Sequence, residues 1–155
     1  MSDDLGYRHP PDTLGTTIGF DSVILRSDQG AMILRSIVVH RRSLGVNIEI
    51  SRAPHISDDT WVKSTRAIVS KGPDDSDSSS SLSVALTYSG GDTSPLEAID
   101  GWADGSRLKI GFWGRLHPEE DPIGLNVTWK DNGDTMVGLP TAEIQQESTS
   151  ASSIW

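Results

Sequence analysis

Few residues in this chain have the type and spacing to do chemistry. His40, Arg41 and Arg42 form a short cationic run between two apolar segments. Guanidinium groups pair with carboxylate or phosphate oxygens through parallel hydrogen bonds, so this run is a candidate anion-recognition tip. Its plainer use is as the soluble end of a hairpin. The other histidines are His9, His55 and His117. No two of the four have the i, i+4 spacing of a helical metal site, and no HExxH is present. His117 stands beside Glu119 and Glu120 at a turn, ordinarily a solvated arrangement.

The acidic stretches "DDSDSSSS" and "DNGD" offer oxygen ligands, but the Gly and twelfth-position Glu of a calcium loop are missing or misplaced in both. Walker A, GxGxxG and GxSxG motifs are missing. The carboxylate pairs Asp58/Asp59 and Glu119/Glu120 are adjacent in sequence. Adjacent side chains on a strand diverge, which makes them poor acid–base couples. The sequence therefore predicts no catalytic residues, no metal and no cofactor.

Aromatic residues are the other candidates, because an exposed indole can stack on a ligand ring. Trp113 is out of phase with Leu108, Ile110 and Phe112, so on a strand it falls on the opposite face, with Lys109, Gly111 and Arg115. A large aromatic on a polar face is either covered by another element or a stacking platform. Cover by the apolar stripe of a nearby helix is the expectation here. Trp102 lies in "DGWADG", which reads as a glycine-rich loop; plugging one end of the fold is expected, ligand contact being the alternative. Trp155 ends the sequence as "SSIW" and is expected to dock back on the core, the alternative being a terminal peptide read by a partner.

The elements that must hold these residues show mainly period-2 alternation. Leu44, Val46, Ile48 and Ile50 share one face; Leu82, Val84, Leu86 and Tyr88 repeat the pattern. Leu108, Ile110 and Phe112 form a third set, and Ile123, Leu125, Val127 and Trp129 a fourth. The segment from Phe20 to Ile50 reads as a three-strand meander turning at Ser27–Gly30 and at Arg41–Ser43. Asn132-Gly133 signals a hairpin into a strand at Thr135–Leu139.

Two segments break the pattern. Trp61, Val62, Thr65, Ile68 and Val69 line one face of a predicted helix near 58–70, with Ser57 as N-cap and Asp58 and Asp59 in the first turn. "TAEIQQES" predicts a short helix after Pro140. Residues 71–81, rich in Asp and Ser, read as a flexible surface loop, and residues 1–14 as a loose terminal segment.

The predicted fold is all-β: one domain, an antiparallel two-layer β-sandwich, immunoglobulin-like or jelly-roll-like, of about seven or eight strands with one inserted helix. A partly open barrel is the alternative. A chain of 155 residues buries roughly 70% of its unfolded surface, enough for a core without staples. With no cysteine, disulfides and thiolate chemistry are excluded. The net charge of −9 and pI near 4.7 disfavour nucleic acid and anionic lipid as partners. No secretion signal and no apolar run of membrane-spanning length are present, so a cytoplasmic location is expected.

"VILRSDQGAMILRSIVVHRRSLGVNIEI", "LSVALTYSGG", "GFWGRLHPEEDPIGLNVTW" and the final "IW" together resemble a family of uncharacterised actinobacterial proteins, over residues 20–155. In that family a proline-rich segment stands where this chain has Arg115 to Pro122. The resemblance implies a β architecture and no particular activity. Function is therefore expected to be non-enzymatic: a binding or protein-interaction module, with a protein partner or a second copy of itself. The alternatives are a carbohydrate or small-ligand domain using a surface tryptophan, and an enzyme of unrecognised type.

Overall fold

A computed structural model describes residues 15–69, 82–117 and 119–150. The predicted loose terminus, the Asp/Ser loop, His9 and Trp155 lie outside the described residues. Nine strands and two helices follow in chain order: β1 (Thr16–Arg26), β2 (Gly30–His40), β3 (Ser43–Arg52), α1 (Asp58–Val69), β4 (Leu82–Tyr88), β5 (Thr93–Pro95), β6 (Glu97–Ala103), β7 (Arg107–Arg115), β8 (Pro122–Trp129), β9 (Gly133–Gly138) and α2 (Thr141–Ser150). They form two antiparallel sheets, ordered β1-β2-β3-β7-β6 and β5-β4-β8-β9. This is the expected two-layer sandwich, and it is not a closed barrel.

Alternating apolar residues make the core. Leu44, Val46, Ile48 and Ile50 of β3 and Leu108, Ile110 and Phe112 of β7 are buried. Leu82, Val84, Leu86 and Tyr88 of β4 and Leu125, Val127 and Trp129 of β8 are buried on the other sheet. Each such side chain contributes roughly 1.5–3 kcal/mol by leaving water.

Ile123 departs from its predicted set. The β4–β8 register shifts between Thr87 and Tyr88, so that Thr87 pairs with Gly124 and Tyr88 with Pro122. This bulge turns Ile123 outward, 40% exposed, while Leu125 keeps the core face. Strand β2 has a second bulge: Leu34 pairs with Ile48 and Ser36 with Asn47, leaving Arg35 between them. The buried residues accordingly change parity, from Met32 and Leu34 to Ile37 and Val39. Strands β5 and β6 were not predicted. The segment expected to be a glycine-rich loop around Trp102 is the edge strand β6, whose seven residues are all exposed.

Each helix closes one end of the sandwich. Ser57 caps α1, its Oγ accepting the Thr60 amide at 3.2 Å. Trp61, Thr65 and Ile68 are buried, whereas Val62 of the predicted stripe is 45% exposed. The helix does not cover Trp113. It sits at the mouth between the sheets, where the Trp61 indole donates to the Asp104 carbonyl at 2.7 Å. Arg52 ties it down, donating to the Gly105 carbonyl and pairing with Asp58, both at 2.8 Å. Trp113 stands six residues further along β7 than Arg107, about 20 Å away at strand rise. Helix α2 closes the opposite end, burying Ile144 completely; Thr141 Oγ1 donates to the Pro122 carbonyl at 2.8 Å.

The β6–β7 turn depends on Asp104, whose Oδ1 accepts the amides of Ser106 and Arg107, each at 2.8 Å. Those amides hold its carboxyl below the usual carboxylate range. A depressed folded pKa adds stability that is present above the unfolded value and lost as pH falls through the folded one. Asp104→Ala should therefore lower the thermal midpoint at pH 7, and the gap to wild type should close as pH drops below the ordinary carboxylate range.

The β8 bulge is tested by a pair of substitutions. Leu125→Ala should cost about 2–5 kcal/mol in urea unfolding, whereas Ile123→Ala should cost under about 1 kcal/mol. Equal losses at the two positions would place Ile123 in the core.

Candidate functional site

The outer face of the five-stranded sheet carries a groove of about 460 Å³. Strands β2, β3, β7 and β6 each present side chains to it. Gly111 of β7 is its floor; a Cβ there would come within 2.6 Å of Asp100 Oδ1. Around this floor stand Asn47, Glu49, Asp100, Trp102, Lys109 and Arg35.

Two bulges aim these groups. The bulge in β2 turns Arg35 onto the outer face, where its Nε and Nη2 meet Glu49 Oε1 and Oε2, each at 3.2 Å. Nη1 reaches Asp21 at 2.9 Å. Asp21 itself has a left-handed backbone, φ 49°, within a break in the β1 ladder. Donating to Glu49 and then to Asp21 raises the Arg35 pKa further, so the guanidinium is charged throughout the accessible pH range. Glu49, which parity placed on the solvent side, is only 3% exposed because this fork lies against it. The bulge in β6, between Ala98 and Asp100, lets Asp100 Oδ1 accept the Gly111 amide at 3.1 Å.

Trp102 is half exposed and pairs across strands with Lys109. The Lys109 ammonium lies 5.9 Å from the indole centroid, a cation–π contact. Lys109 in turn pairs with Glu49 on β3. The groove thus holds two cations, Arg35 and Lys109, and two anions, Glu49 and Asp100, at one aromatic wall. Its charge balances, which favours a neutral polar ligand over an ion.

Trp113 lies on the same outer face but apart from the groove. It pairs with Gly45 and Glu97, is half buried, and has the Arg115 guanidinium 6.0 Å from its ring.

The His40–Arg42 tip is at the α2 end of the molecule. Arg42 has φ 63°, uncommon for a residue with a Cβ. Its amide donates to Ser148 Oγ at 3.1 Å and its carbonyl accepts the Leu116 amide at 2.8 Å. Arg41 and Arg42 line a second cavity of about 760 Å³, with His117, Glu120, Asp121 and Gln145 opposite. Carboxylates therefore share this cavity with the arginines, and it is not a purely cationic anion site. His40 is not among the residues lining it.

Sequence reading had reached Trp102 but not Arg35, Asn47, Glu49, Asp100 or Lys109. The one local signal was the parity break in "MILRSIVV", where the apolar rhythm skips a beat at Arg35. Among the described residues no helix is long and apolar enough to cross a membrane. Comparison with protein-family models, with curated proteins and with solved structures finds no match to this chain.

Proposed function

We propose that this protein is a non-enzymatic binding domain whose outer groove takes a neutral, polyhydroxylated ring ligand of the carbohydrate class. The observation that carries the reading is the half-exposed Trp102 beside a groove of balanced charge. An indole face stacks on the apolar side of a sugar ring. The amide of Asn47 and the carboxylate of Asp100 supply hydrogen-bond partners for ring hydroxyls. A volume of about 460 Å³ is within the range of small-ligand sites. The groups sit on strands rather than loops, with Asn47 bonded to Ser36 Oγ and Asp100 to the Gly111 amide, so little ordering accompanies binding. The net charge of −9 argues against a nucleic-acid partner, and the cysteine-free composition suits a cytoplasmic setting.

A second reading, an interaction module, is favoured by one observation. Strand β6 is a sheet edge with every residue exposed, Ile99 and Trp102 among them. Such an edge can accept a strand from a partner or from a second copy.

Titration of a panel of mono- and oligosaccharides, followed by calorimetry and tryptophan fluorescence, decides between them. Trp102→Ala should weaken sugar binding at least tenfold and Asn47→Ala by a smaller factor, with Trp113→Ala close to wild type. A panel that does not bind, or a Trp102 variant that binds normally, removes the carbohydrate reading. Light scattering on a size-exclusion column tests the edge: Ile99→Lys should dissociate any dimer, and a wild type that stays monomeric at high concentration removes self-association.

A further inference from the structure

We propose that Asp92, His117 and Glu120 form a binding site for a divalent transition-metal ion, of zinc type, at the α2 end of the sandwich. The three residues come from two turns distant in sequence, β4–β5 and β7–β8. Each offers one ligand atom, and the three atoms lie within 4.8 Å of one another. His117 Nε2 is 3.6 Å from Glu120 Oε2. Zinc bonds of about 2.0–2.1 Å in a tetrahedron set ligand–ligand edges of roughly 3.3–3.4 Å. The His117–Glu120 spacing is therefore close to what the ion needs, and the remaining ligand must draw in from within 4.8 Å.

Neighbouring residues hold Glu120 and His117. The Gly90 amide donates to Glu120 Oε1 at 3.1 Å. A Cβ on Gly90 would lie 2.3 Å from that oxygen, so only glycine allows the approach. The Tyr88 hydroxyl accepts the His117 amide at 3.0 Å, and its ring meets the imidazole edge-on, centroids 5.6 Å apart. The two turns are laced together by the Ser89 amide on the Asp121 carbonyl, at 2.9 Å.

Charge gives the second argument. Asp92 and Glu120 bring carboxylate oxygens within 4.8 Å of each other and of the His117 imidazole. Two carboxylates in contact repel unless a proton or a cation lies between them. An imidazole nitrogen beside them selects the cation. Calcium takes six to eight oxygens and magnesium an octahedral, largely hydrated shell, whereas nitrogen with carboxylate oxygens suits zinc and its neighbours. Three protein ligands leave a coordination position open, and His117 and Glu120 also line the 760 Å³ cavity.

One contact opposes the ion. His117 Nδ1 accepts the Glu119 amide at 3.2 Å, which keeps the neutral imidazole proton on Nε2. Coordination through Nε2 moves that proton to Nδ1 and gives up this long hydrogen bond. Affinity should accordingly be micromolar rather than the far tighter grip of closed structural zinc sites.

The test is calorimetry on the full chain after chelator treatment, with zinc, calcium and magnesium chlorides as the probes. One zinc per chain should bind and raise the thermal midpoint, with calcium and magnesium at least a hundredfold weaker. His117→Gln and Glu120→Gln should each weaken zinc at least tenfold, and His55→Ala should leave it unchanged. Glu120→Gln can still accept the Gly90 amide, and circular dichroism confirms that it is folded. No stoichiometric zinc in wild type, calcium bound as tightly as zinc, or unchanged binding in both glutamine variants would each overturn the site.

Discussion

Strand parity is the constraint on which the rest of this molecule depends. Successive side chains on a strand point to opposite faces, so a residue's number fixes whether it faces the core or water. Two sheets can meet only if every strand keeps its apolar residues in phase. A bulge is the means of changing phase within a strand without breaking it. Bulges at Arg35, at Ile99 and at Ile123 do so here, and β1 has two further register shifts. The bulges at Arg35 and Ile99 flank the outer groove. In β2 the extra residue keeps Met32, Leu34, Ile37 and Val39 all in the core and sets Arg35 on the outer face as a by-product.

That outward guanidinium then organises its face. It lies against Glu49, which would otherwise be an ordinary solvated residue, and leaves it buried beside a charge. A buried carboxylate without a partner is costly, and its pairing by a bidentate fork fixes both side chains in one geometry. Lys109, directly opposite Glu49, extends the alternation of sign to Trp102. The polar wall of the groove thus follows from a core requirement two strands away.

The same constraint explains what could be read from the sequence. Leu44 to Ile50, Leu82 to Tyr88 and Leu108 to Phe112 alternate without interruption, and their faces were legible residue by residue. The α1 start was legible because Ser57 and the two aspartates act locally. Ile123 was misplaced because nothing in "PIGLNVTW" marks the bulge; it exists only in the pairing with β4. Strand β6 was missed because an edge strand exposed on both faces carries no apolar rhythm. The position of α1 was not legible either. An apolar stripe says that a helix must be covered, not where, and here the Asp104 carbonyl gives the buried Trp61 indole its partner at the end of the sandwich rather than over Trp113.

Both proposed sites are assembled from residues far apart in the chain, and that is why motifs failed to find them. The groove draws Arg35, Asn47, Asp100 and Lys109 from four strands, and the end site draws Asp92 and Glu120 from two turns. In each, a glycine with no room for a Cβ lets a carboxylate reach a backbone amide: Gly111 for Asp100 and Gly90 for Glu120. The amide holds one carboxylate oxygen, so the orientation of the group is set by main chain rather than by its own rotamers. A side chain held this way loses less freedom when it meets a ligand. The two sites share no residue. The groove lies on one outer sheet face, the end site at the turns that α2 closes.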